Sequence, residues 1–159
     1  MHIGINSKKI DITSEKDNNL ISKKISKLIK QGDVFLLYGE IGIGKTTFVK
    51  NLINCLQIKS KEKETEIPSP TFSILNEYMV GNLKISHYDL YRIKNKKELK
   101  NIGLFENYKT DLTFVEWPEL ITKKPKNRIE LFFSYEDNFK KRGLVIKTDT
   151  RKKIVNEFR

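Results

Sequence analysis

Apolar residues recur with helical spacing in two segments of the chain. The first segment predicts a helix over residues 14–30, with Ser14 as its N-cap, and Gly32 breaks the pattern shortly afterwards. The second segment predicts an amphipathic helix over residues 48–56. The repeating positions are Leu20, Ile21, Ile25, Leu28 and Ile29 in the first helix and Phe48, Val49, Leu52, Ile53 and Leu56 in the second. Each predicted helix therefore has one face that must pack against a core.

The other apolar segments are short and predict strands. Residues 34–38 form a continuous apolar run, which is typical of a strand buried on both faces of a parallel sheet. Residues 71–79 and 83–89 are separated by a turn around Gly81 and Asn82, and they predict an antiparallel hairpin. Three further strands are predicted at residues 112–115, 128–135 and 144–148, a short helix at 98–104, and a helical tail over 150–159.

This order of helices and strands predicts an α/β protein. We expect three layers around a mixed, mostly parallel sheet with antiparallel hairpin additions. The chain shows no internal repeat, low-complexity tract or flexible linker, and its 159 residues suit a single domain over residues 1–159.

Composition and charge limit the class of protein. With 38% hydrophobic and 32% charged residues, the chain is typical of a soluble globular protein, and it has no apolar run of membrane-spanning length. The N-terminus has no secretory signal pattern, and a single cysteine, Cys55, excludes an internal disulfide and a multi-cysteine zinc site. We therefore expect a cytoplasmic location.

A net charge of +11 raises the question of a polyanionic partner such as RNA. The lysines are scattered in pairs without interleaved aromatic residues, which favours a solvated surface over a nucleic-acid groove. The densest basic groups are residues 140–142 and 151–153, so any direct contact with RNA is expected there first.

A glycine-rich loop joins the apolar run at residues 34–38 to the second helix. Residues 39–46, Gly-Glu-Ile-Gly-Ile-Gly-Lys-Thr, match the pattern G-x-x-x-x-G-K-[ST]. In such a loop the glycines allow close approach of the backbone, whose N–H groups and the following helix N-terminus bind phosphate oxygens. The lysine contacts the β- and γ-phosphates, and the threonine hydroxyl binds magnesium. The loop and its flanks predict a P-loop NTPase fold that binds ATP or GTP with Mg²⁺.

A triphosphate site also needs a carboxylate near the metal, usually at the end of a neighbouring strand. Both Asp89 and Glu116 end predicted strands, and the pattern leaves the choice between them open. Thr71 is a candidate for contact with the γ-phosphate as part of a switch, although turn formation explains its segment equally well. Trp117 either packs against the core or lines the nucleotide, and His87 is interpreted as an ordinary strand residue.

Four segments together resemble the TsaE family, also called YjeE. They are Tyr-Gly-Glu-Ile-Gly-Ile-Gly-Lys-Thr-Thr-Phe at 38–48, Ser-Pro-Thr-Phe at 69–72, His-Tyr-Asp-Leu-Tyr-Arg at 87–92 and Val-Glu-Trp-Pro-Glu at 115–119. The resemblance covers about residues 8–135. It implies a slow ATPase that uses ATP and Mg²⁺ and is required for threonylcarbamoyladenosine modification of tRNA. It also implies the proteins TsaB and TsaD as partners, while direct contact with tRNA stays open.

The resemblance further implies roles for single residues. Asp89 would be needed for hydrolysis, Thr71 for the switch segment and Lys45 for binding phosphates, while Thr46 and Glu116 would hold magnesium. The expected nucleotide contacts are Glu15, Glu40, Ile41, Gly42, Ile43, Gly44, Lys45, Thr46, Thr47 and Trp117.

Three other functions fit parts of the sequence. Asn95-Lys96-Lys97-Glu98 is similar to a guanine-binding Asn-Lys-x-Asp motif, but it ends in Glu and no Asp-x-x-Gly switch accompanies it. A small-molecule kinase would need a lid and an acceptor domain, for which the chain has little room. A third alternative, an ATP-dependent assembly factor with negligible hydrolysis of its own, cannot be separated from a slow ATPase by sequence.

Overall fold

The computed structural model describes residues 4–159. Its strands are β1 (Ile5–Asn6), β2 (Ile10–Asp11), β3 (Val34–Tyr38), β4 (Leu75–Val80), β5 (Leu83–Asp89), β6 (Leu112–Glu116), β7 (Arg128–Glu136) and β8 (Lys141–Thr148). Its helices are α1 (Glu15–Ser26), α2 (Lys45–Lys59), α3 (Lys96–Asn101) and α4 (Lys152–Asn156), with one 3-10 turn at Pro118–Leu120. Within this range no helix is both long and apolar enough to cross a membrane.

All described strands belong to one sheet with the order β1-β8-β7-β3-β6-β5-β4, and β2 also pairs with β8. The four central strands, β7, β3, β6 and β5, are parallel to one another. The outer strands are antiparallel, with β4 on β5 at one edge and β8, β1 and β2 beyond β7 at the other. The predicted fold class, α/β with a parallel centre and antiparallel additions, is confirmed.

The two faces of the sheet are covered by different elements. Phe35 and Leu37 of β3 belong to the core shared with α1, α2 and α4, whereas Val34 and Leu36 belong to a second core under α3 and the loop after it. Successive side chains of a strand point to opposite faces, so a central strand covered on both sides needs apolar residues at every position. This requirement explains the continuous apolar run at residues 34–38.

Several predicted boundaries are wrong by a few residues for identifiable reasons. The first helix begins after Ser14, whose hydroxyl oxygen accepts a hydrogen bond from the Asp17 N–H at 3.0 Å. It ends at Ser26, where the chain enters a turn in which the Leu28 N–H donates to the Ile25 carbonyl at 2.9 Å. Strand β4 begins at Leu75 and not at residue 71. The residues before it form a turn, in which the Ile74 N–H donates to the Pro70 carbonyl at 2.7 Å.

The remaining differences concern short elements. Helix α3 covers Lys96–Asn101 and not residues 98–104, because Asn95 caps its start and Gly103 (φ +67°) lies just beyond its end. Strand β8 begins three residues earlier than predicted, at Lys141, and the helical part of the tail is limited to Lys152–Asn156. The two-residue strands β1 and β2 were not predicted, since two residues are too few to show a period.

Candidate nucleotide site

The glycine-rich loop of residues 39–46 lies between β3 and α2 and leaves the first turn of α2 without a cap. Its N-cap residue, Gly44, has φ +109° and offers no side chain, and no acidic residue occupies the first turn. Helix α1, by contrast, has a side-chain cap at Ser14 and acidic residues in its first turn. The first N–H groups of a helix have no partner inside it, so the N-terminus of α2 is suited to bind an anion.

Lys45 lies at this N-terminus and is almost completely buried, with 4% of its surface exposed. Its Nζ donates hydrogen bonds to the carbonyl oxygens of Gly39 and Glu40, the latter at 2.9 Å, and lies 4.0 Å from the centre of the Trp117 ring. Burial lowers the pKa of Lys45, and the nearby charge of Glu116 acts in the opposite direction. The ammonium group is thus held by neutral acceptors and an aromatic face, where a phosphate would supply the missing negative charge.

Glu116 ends β6 and reaches the loop from the adjacent strand. The β3–β6 register pairs Leu37 with Glu116, so the carboxylate stands next to the start of the loop. Thr46 Oγ1 donates to Glu116 Oε1 at 2.7 Å, and His87 Nε2 lies 2.7 Å from Glu116 Oε2. Both carboxylate oxygens therefore have a partner, although Glu116 itself is only 2% exposed.

Asp89 ends β5 directly beside Glu116 in the parallel register. The Thr71 hydroxyl donates to Asp89 Oδ2 at 3.1 Å, and the Tyr91 N–H donates to Asp89 Oδ1 at 2.9 Å. Burial raises the pKa of the Asp89 carboxyl, its hydrogen bond from Tyr91 lowers it in part, and the charge of Glu116 raises it further. The structure therefore joins the turn at Thr71 to the second carboxylate of the site.

These groups surround one cavity of about 220 Å³. Trp117 forms part of its wall with a left-handed backbone (φ 58°, ψ 55°), and its ring lies 4.8 Å from that of Tyr91. A non-glycine residue in this conformation is strained, and such strain is frequent at functional sites. The cavity is lined by Ile41, Gly42, Gly44, Lys45, Thr46, Thr47, Thr71, Asp89, Tyr91, Glu116 and Trp117.

A second cavity, of about 290 Å³, shares Thr47 with the first and contains Glu15. It also contains Arg142 of β8, whose Nη1 would lie 3.6 Å from the Cβ of an alanine at Gly44. In the sequence, Arg142 stands out only as a member of the basic group at residues 140–142, where RNA and not a nucleotide was the expected ligand. The antiparallel pairing of β8 on β7 turns this basic group back toward the loop.

Two of the expected nucleotide contacts do not line either cavity with their side chains. Glu40 is exposed, and its carbonyl oxygen is occupied by Lys45. Ile43 is 1% exposed, and its side chain packs in the main core. Contact between these two residues and a nucleotide therefore stays a prediction, and it would be made through their backbone N–H groups.

Two further sequence features have structural explanations. The Asn95 side chain accepts a hydrogen bond from the Glu98 N–H at 2.9 Å, and Glu98 accepts one from the Lys94 N–H at 3.1 Å, so the segment is an N-terminal helix cap. In the basic group at residues 151–153, Arg151 forms an ion pair with Asp33 at 2.8 Å and is not free to bind RNA.

Comparison with known proteins gives one consistent family. The family described as "Threonylcarbamoyl adenosine biosynthesis protein TsaE" matches residues 12–144. The protein named tRNA threonylcarbamoyladenosine biosynthesis protein TsaE from Rickettsia conorii is 36% identical over 110 residues, which make up 69% of this chain and 61% of that protein. The proteins of the same name from Aquifex aeolicus and Bacillus subtilis are 36% identical over 112 residues and 35% identical over 117 residues.

Coverage differs among these relatives. The match spans 70% of this chain and 77% of the Aquifex protein, and 72% of this chain and 70% of the Bacillus protein. Among solved structures, the crystal structure of Bacillus subtilis YdiB is similar with a TM-score of 0.77 and 26% identity, covering 99% of this chain and 97% of YdiB. The likeness to YdiB thus extends over nearly the whole chain, including the elements outside residues 12–144.

Proposed function

Since this chain belongs to the TsaE family, we propose that it takes part in the biosynthesis of threonylcarbamoyladenosine in tRNA as a slow, Mg²⁺-dependent ATPase. The family relationship supports the pathway, and the geometry of the site supports the chemistry. The match spans 61% of the length of the Rickettsia conorii relative.

A single observation carries the proposed chemistry. The uncapped N-terminus of α2, the buried Lys45 and the Thr46–Glu116 pair meet in one cavity. Backbone N–H groups and a lysine ammonium are donors to phosphate oxygens, and the hydroxyl and carboxylate beside them offer hard oxygen ligands. A polyphosphate would accept hydrogen bonds from the N–H groups and the ammonium, and its magnesium ion would bind the hydroxyl and the carboxylate.

The residues present fit magnesium bound together with a nucleotide. Within residues 4–159 no group of three or more His, Cys, Asp and Glu side chains is arranged to hold a metal on its own. Mg²⁺ typically takes one or two protein ligands and receives the rest from phosphates and water. Thr46 and Glu116 would supply those protein ligands, and the ion would neutralise negative charge on the phosphates.

Asp89 and Thr71 would act on the water molecule that attacks the γ-phosphate during hydrolysis. Asp89 is buried beside Glu116, and its oxygens accept hydrogen bonds from Thr71 and from the Tyr91 N–H. A carboxylate held in this way can orient a water molecule and accept its proton. The bond from Thr71 links this carboxylate to an exposed turn that can respond to the γ-phosphate.

The second cavity is the natural place for the nucleoside. It shares the lining residue Thr47 with the phosphate cavity, and Glu15 and Arg142 also line it. No feature of it selects adenine over guanine, so the preference for ATP rests on the family. The one guanine-binding segment suggested by the sequence is the cap of α3.

The partners follow from the family as well. We expect ATP turnover to be slow for the chain alone and to change when TsaB and TsaD are added. We also expect the protein to act in the cytoplasm. Contact with tRNA, direct or through those proteins, is part of the same proposal.

The test compares two lysines of the same helix. Lys45→Ala removes the buried ammonium of the site, and Lys59→Ala removes an exposed one in the last turn of α2. Isothermal titration with ATP and Mg²⁺ should show at least about 30-fold weaker binding for Lys45→Ala, equivalent to about 2 kcal/mol for a hydrogen bond to a charged group. Lys59→Ala should bind as the wild type does, and unchanged affinity in Lys45→Ala would overturn the site.

The pathway is tested separately by ATP turnover with and without purified TsaB and TsaD. A change in turnover, together with co-elution of the proteins, supports the proposed function. If the partners neither bind nor alter turnover while ATP still binds, the role in the pathway fails and the nucleotide site stands.

A further inference from the structure

His87 is a buried histidine that the proposed chemistry does not use. It lies on β5 with none of its surface exposed, and its Nε2 is 2.7 Å from Oε2 of Glu116. The other oxygen of the same carboxylate, Oε1, accepts the hydrogen bond of Thr46 at 2.7 Å. The Glu116 carboxylate is therefore held at both ends, by His87 from inside the sheet and by Thr46 from the loop.

The sheet fixes the direction from which His87 approaches. Strands β5 and β6 are parallel, with His87 paired to Phe114 and Asp89 paired to Glu116. His87 stands two positions before Asp89, so both side chains lie on the same face of β5 and flank the end of β6. The imidazole and the Phe114 ring are nearly perpendicular, with 6.4 Å between centroids and 78° between planes, and this packing restricts rotation of the imidazole.

The contact with Glu116 shows which nitrogen of His87 donates. A carboxylate accepts hydrogen bonds only, so Nε2 of the imidazole carries a proton and donates it to Glu116. Its Nδ1 is buried and has no hydrogen-bond partner in the described part of the chain. Within the described residues, the hydrogen bond to Glu116 is therefore the only one that the His87 side chain makes.

We propose that His87 is a positioning residue that orients Glu116 toward Thr46, and so determines how tightly magnesium binds with the nucleotide. This inference rests on the proposed function, in which Thr46 and Glu116 supply the protein ligands. A ligating carboxylate that loses its outer hydrogen-bond partner gains rotational freedom, and such losses typically weaken metal binding 10–100-fold. His87 touches neither phosphate nor metal in this arrangement, so binding of the nucleotide without metal should not depend on it.

The experiment separates metal binding from nucleotide binding. Affinity for Mn²⁺, used as a spectroscopic substitute for Mg²⁺, is measured by electron paramagnetic resonance on the complex of the full chain with ADP. Affinity for ADP itself is measured by calorimetry in EDTA. His87→Leu should bind Mn²⁺ about 10–100-fold more weakly and ADP in EDTA as the wild type does.

Conservative variants keep the test decisive if His87→Leu folds poorly. In His87→Gln the amide nitrogen reaches the position of Nε2 and can donate to Glu116, whereas in His87→Asn it replaces Nδ1 and cannot. We expect His87→Gln to keep Mn²⁺ affinity within about threefold of the wild type, while His87→Asn loses it as Leu does. Ser86→Ala, at the next buried position of β5 on the opposite face, controls for a general disturbance of the strand.

The outcomes distinguish the two proposals. If wild-type Mn²⁺ affinity is lost in Glu116→Gln but unchanged in His87→Leu and His87→Asn, the positioning role is overturned and the metal site stands. Equal losses in His87→Gln and His87→Asn would also overturn it, since hydrogen bonding would then not matter. If Glu116→Gln leaves Mn²⁺ affinity unchanged, the proposed metal site itself fails.

Discussion

At the scale of single residues, the site contains two adjacent carboxylates with different partners. Glu116 is bonded to Thr46 and His87, while Asp89 is bonded to Thr71 and the backbone of Tyr91. The sequence left open which of them binds the metal. The contact with Thr46 assigns the metal side to Glu116 in our proposal and leaves Asp89 to act on water.

Asp89→Asn tests this division of roles. We expect ATP and Mg²⁺ to bind within about threefold of the wild type, because the Thr46–Glu116 pair is intact, and turnover to fall about 10²–10⁴-fold, because the proton acceptor is lost. Single-turnover hydrolysis and metal titration measure the two effects. A loss of metal affinity equal to that of Glu116→Gln would show instead that Asp89 is the main metal ligand.

The pH dependence of turnover follows from the same residue. Burial raises the pKa of the Asp89 carboxyl, and only the ionised form can accept a proton. Turnover should therefore decline on the acid side at a higher pH than an ordinary aspartate, with a pKa of about 3.9, would give. A decline that begins only near that ordinary value would contradict the assignment.

Trp117 provides a reporter, since it is the only tryptophan of the chain. Its ring lies 4.0 Å from Lys45 Nζ, so a phosphate that draws the ammonium away changes the surroundings of the indole. We predict that ATP changes the intrinsic fluorescence with the same dissociation constant as calorimetry gives. Lys45→Ala should abolish the change, and no change in a wild-type protein that binds ATP would place the nucleotide away from Trp117.

At the scale of elements, α2 differs from α1 in how it begins. Ser14 caps α1, whereas α2 begins at Gly44 with φ +109° and no side-chain cap. An uncapped helix end is costly unless another group binds its N–H donors. The glycines of the loop therefore serve two purposes, a backbone conformation that other residues rarely adopt and an open helix end.

Gly44→Ala tests this open helix end, and Gly81→Ala, at another glycine with positive φ, is the control. Gly81, between β4 and β5, has φ +58° and lies away from both cavities. We expect Gly81→Ala to lose about 1–2 kcal/mol of stability in urea denaturation, and Gly44→Ala to lose at least as much. Only Gly44→Ala should also bind ATP at least about 10-fold more weakly, since its loop N–H groups no longer converge. Unchanged ATP affinity in Gly44→Ala would show that the open helix end is not the phosphate site.

Across the whole molecule, the C-terminal segment is tied to the middle of the fold by Arg151. Its guanidinium binds both oxygens of Asp33, at 2.8 and 3.1 Å, and the carbonyl of Leu28. Burial raises the pKa of the Asp33 carboxyl, while the Lys30 N–H and Arg151 lower it in part. The helix that follows buries Ile154 and Val155 completely, so the ion pair fixes the end of the chain against the main core.

Arg151→Met should destabilise the protein by about 3 kcal/mol, because it leaves the Asp33 carboxylate buried without its cation. Lys152→Met, at the adjacent exposed position, should change the free energy of unfolding by less than about 0.5 kcal/mol. Urea denaturation followed by circular dichroism measures both variants. A loss as small as that of the control would mean that apolar packing of α4 is sufficient.

The sequence predicted the elements better than their ends. The predicted helix at residues 14–30, the hairpin around residues 81–82 and the strands at 34–38, 83–89 and 112–115 all exist, because side-chain periodicity depends on neighbours within the same element. The ends at Ser26 and Leu75 were missed because they depend on where the chain must turn to join the sheet. The positions of His87 and Arg142 beside the loop were missed for a different reason, since each depends on which strands pair in the sheet.

What the sequence by itself determined is the contiguous part of the site. The spacing of glycine, lysine and threonine within residues 39–46 is enough to predict phosphate binding. The apolar residues before and after this loop predict a strand and a helix. Only the tertiary structure decided how distant groups meet that loop and one another: Glu116 with His87 behind it, Asp89 with Thr71, and Arg142 from the far edge. These neighbours depend on strand order and register, and a slip of one residue would turn each side chain to the opposite face. Long-range pairing of this kind leaves no period in a single sequence.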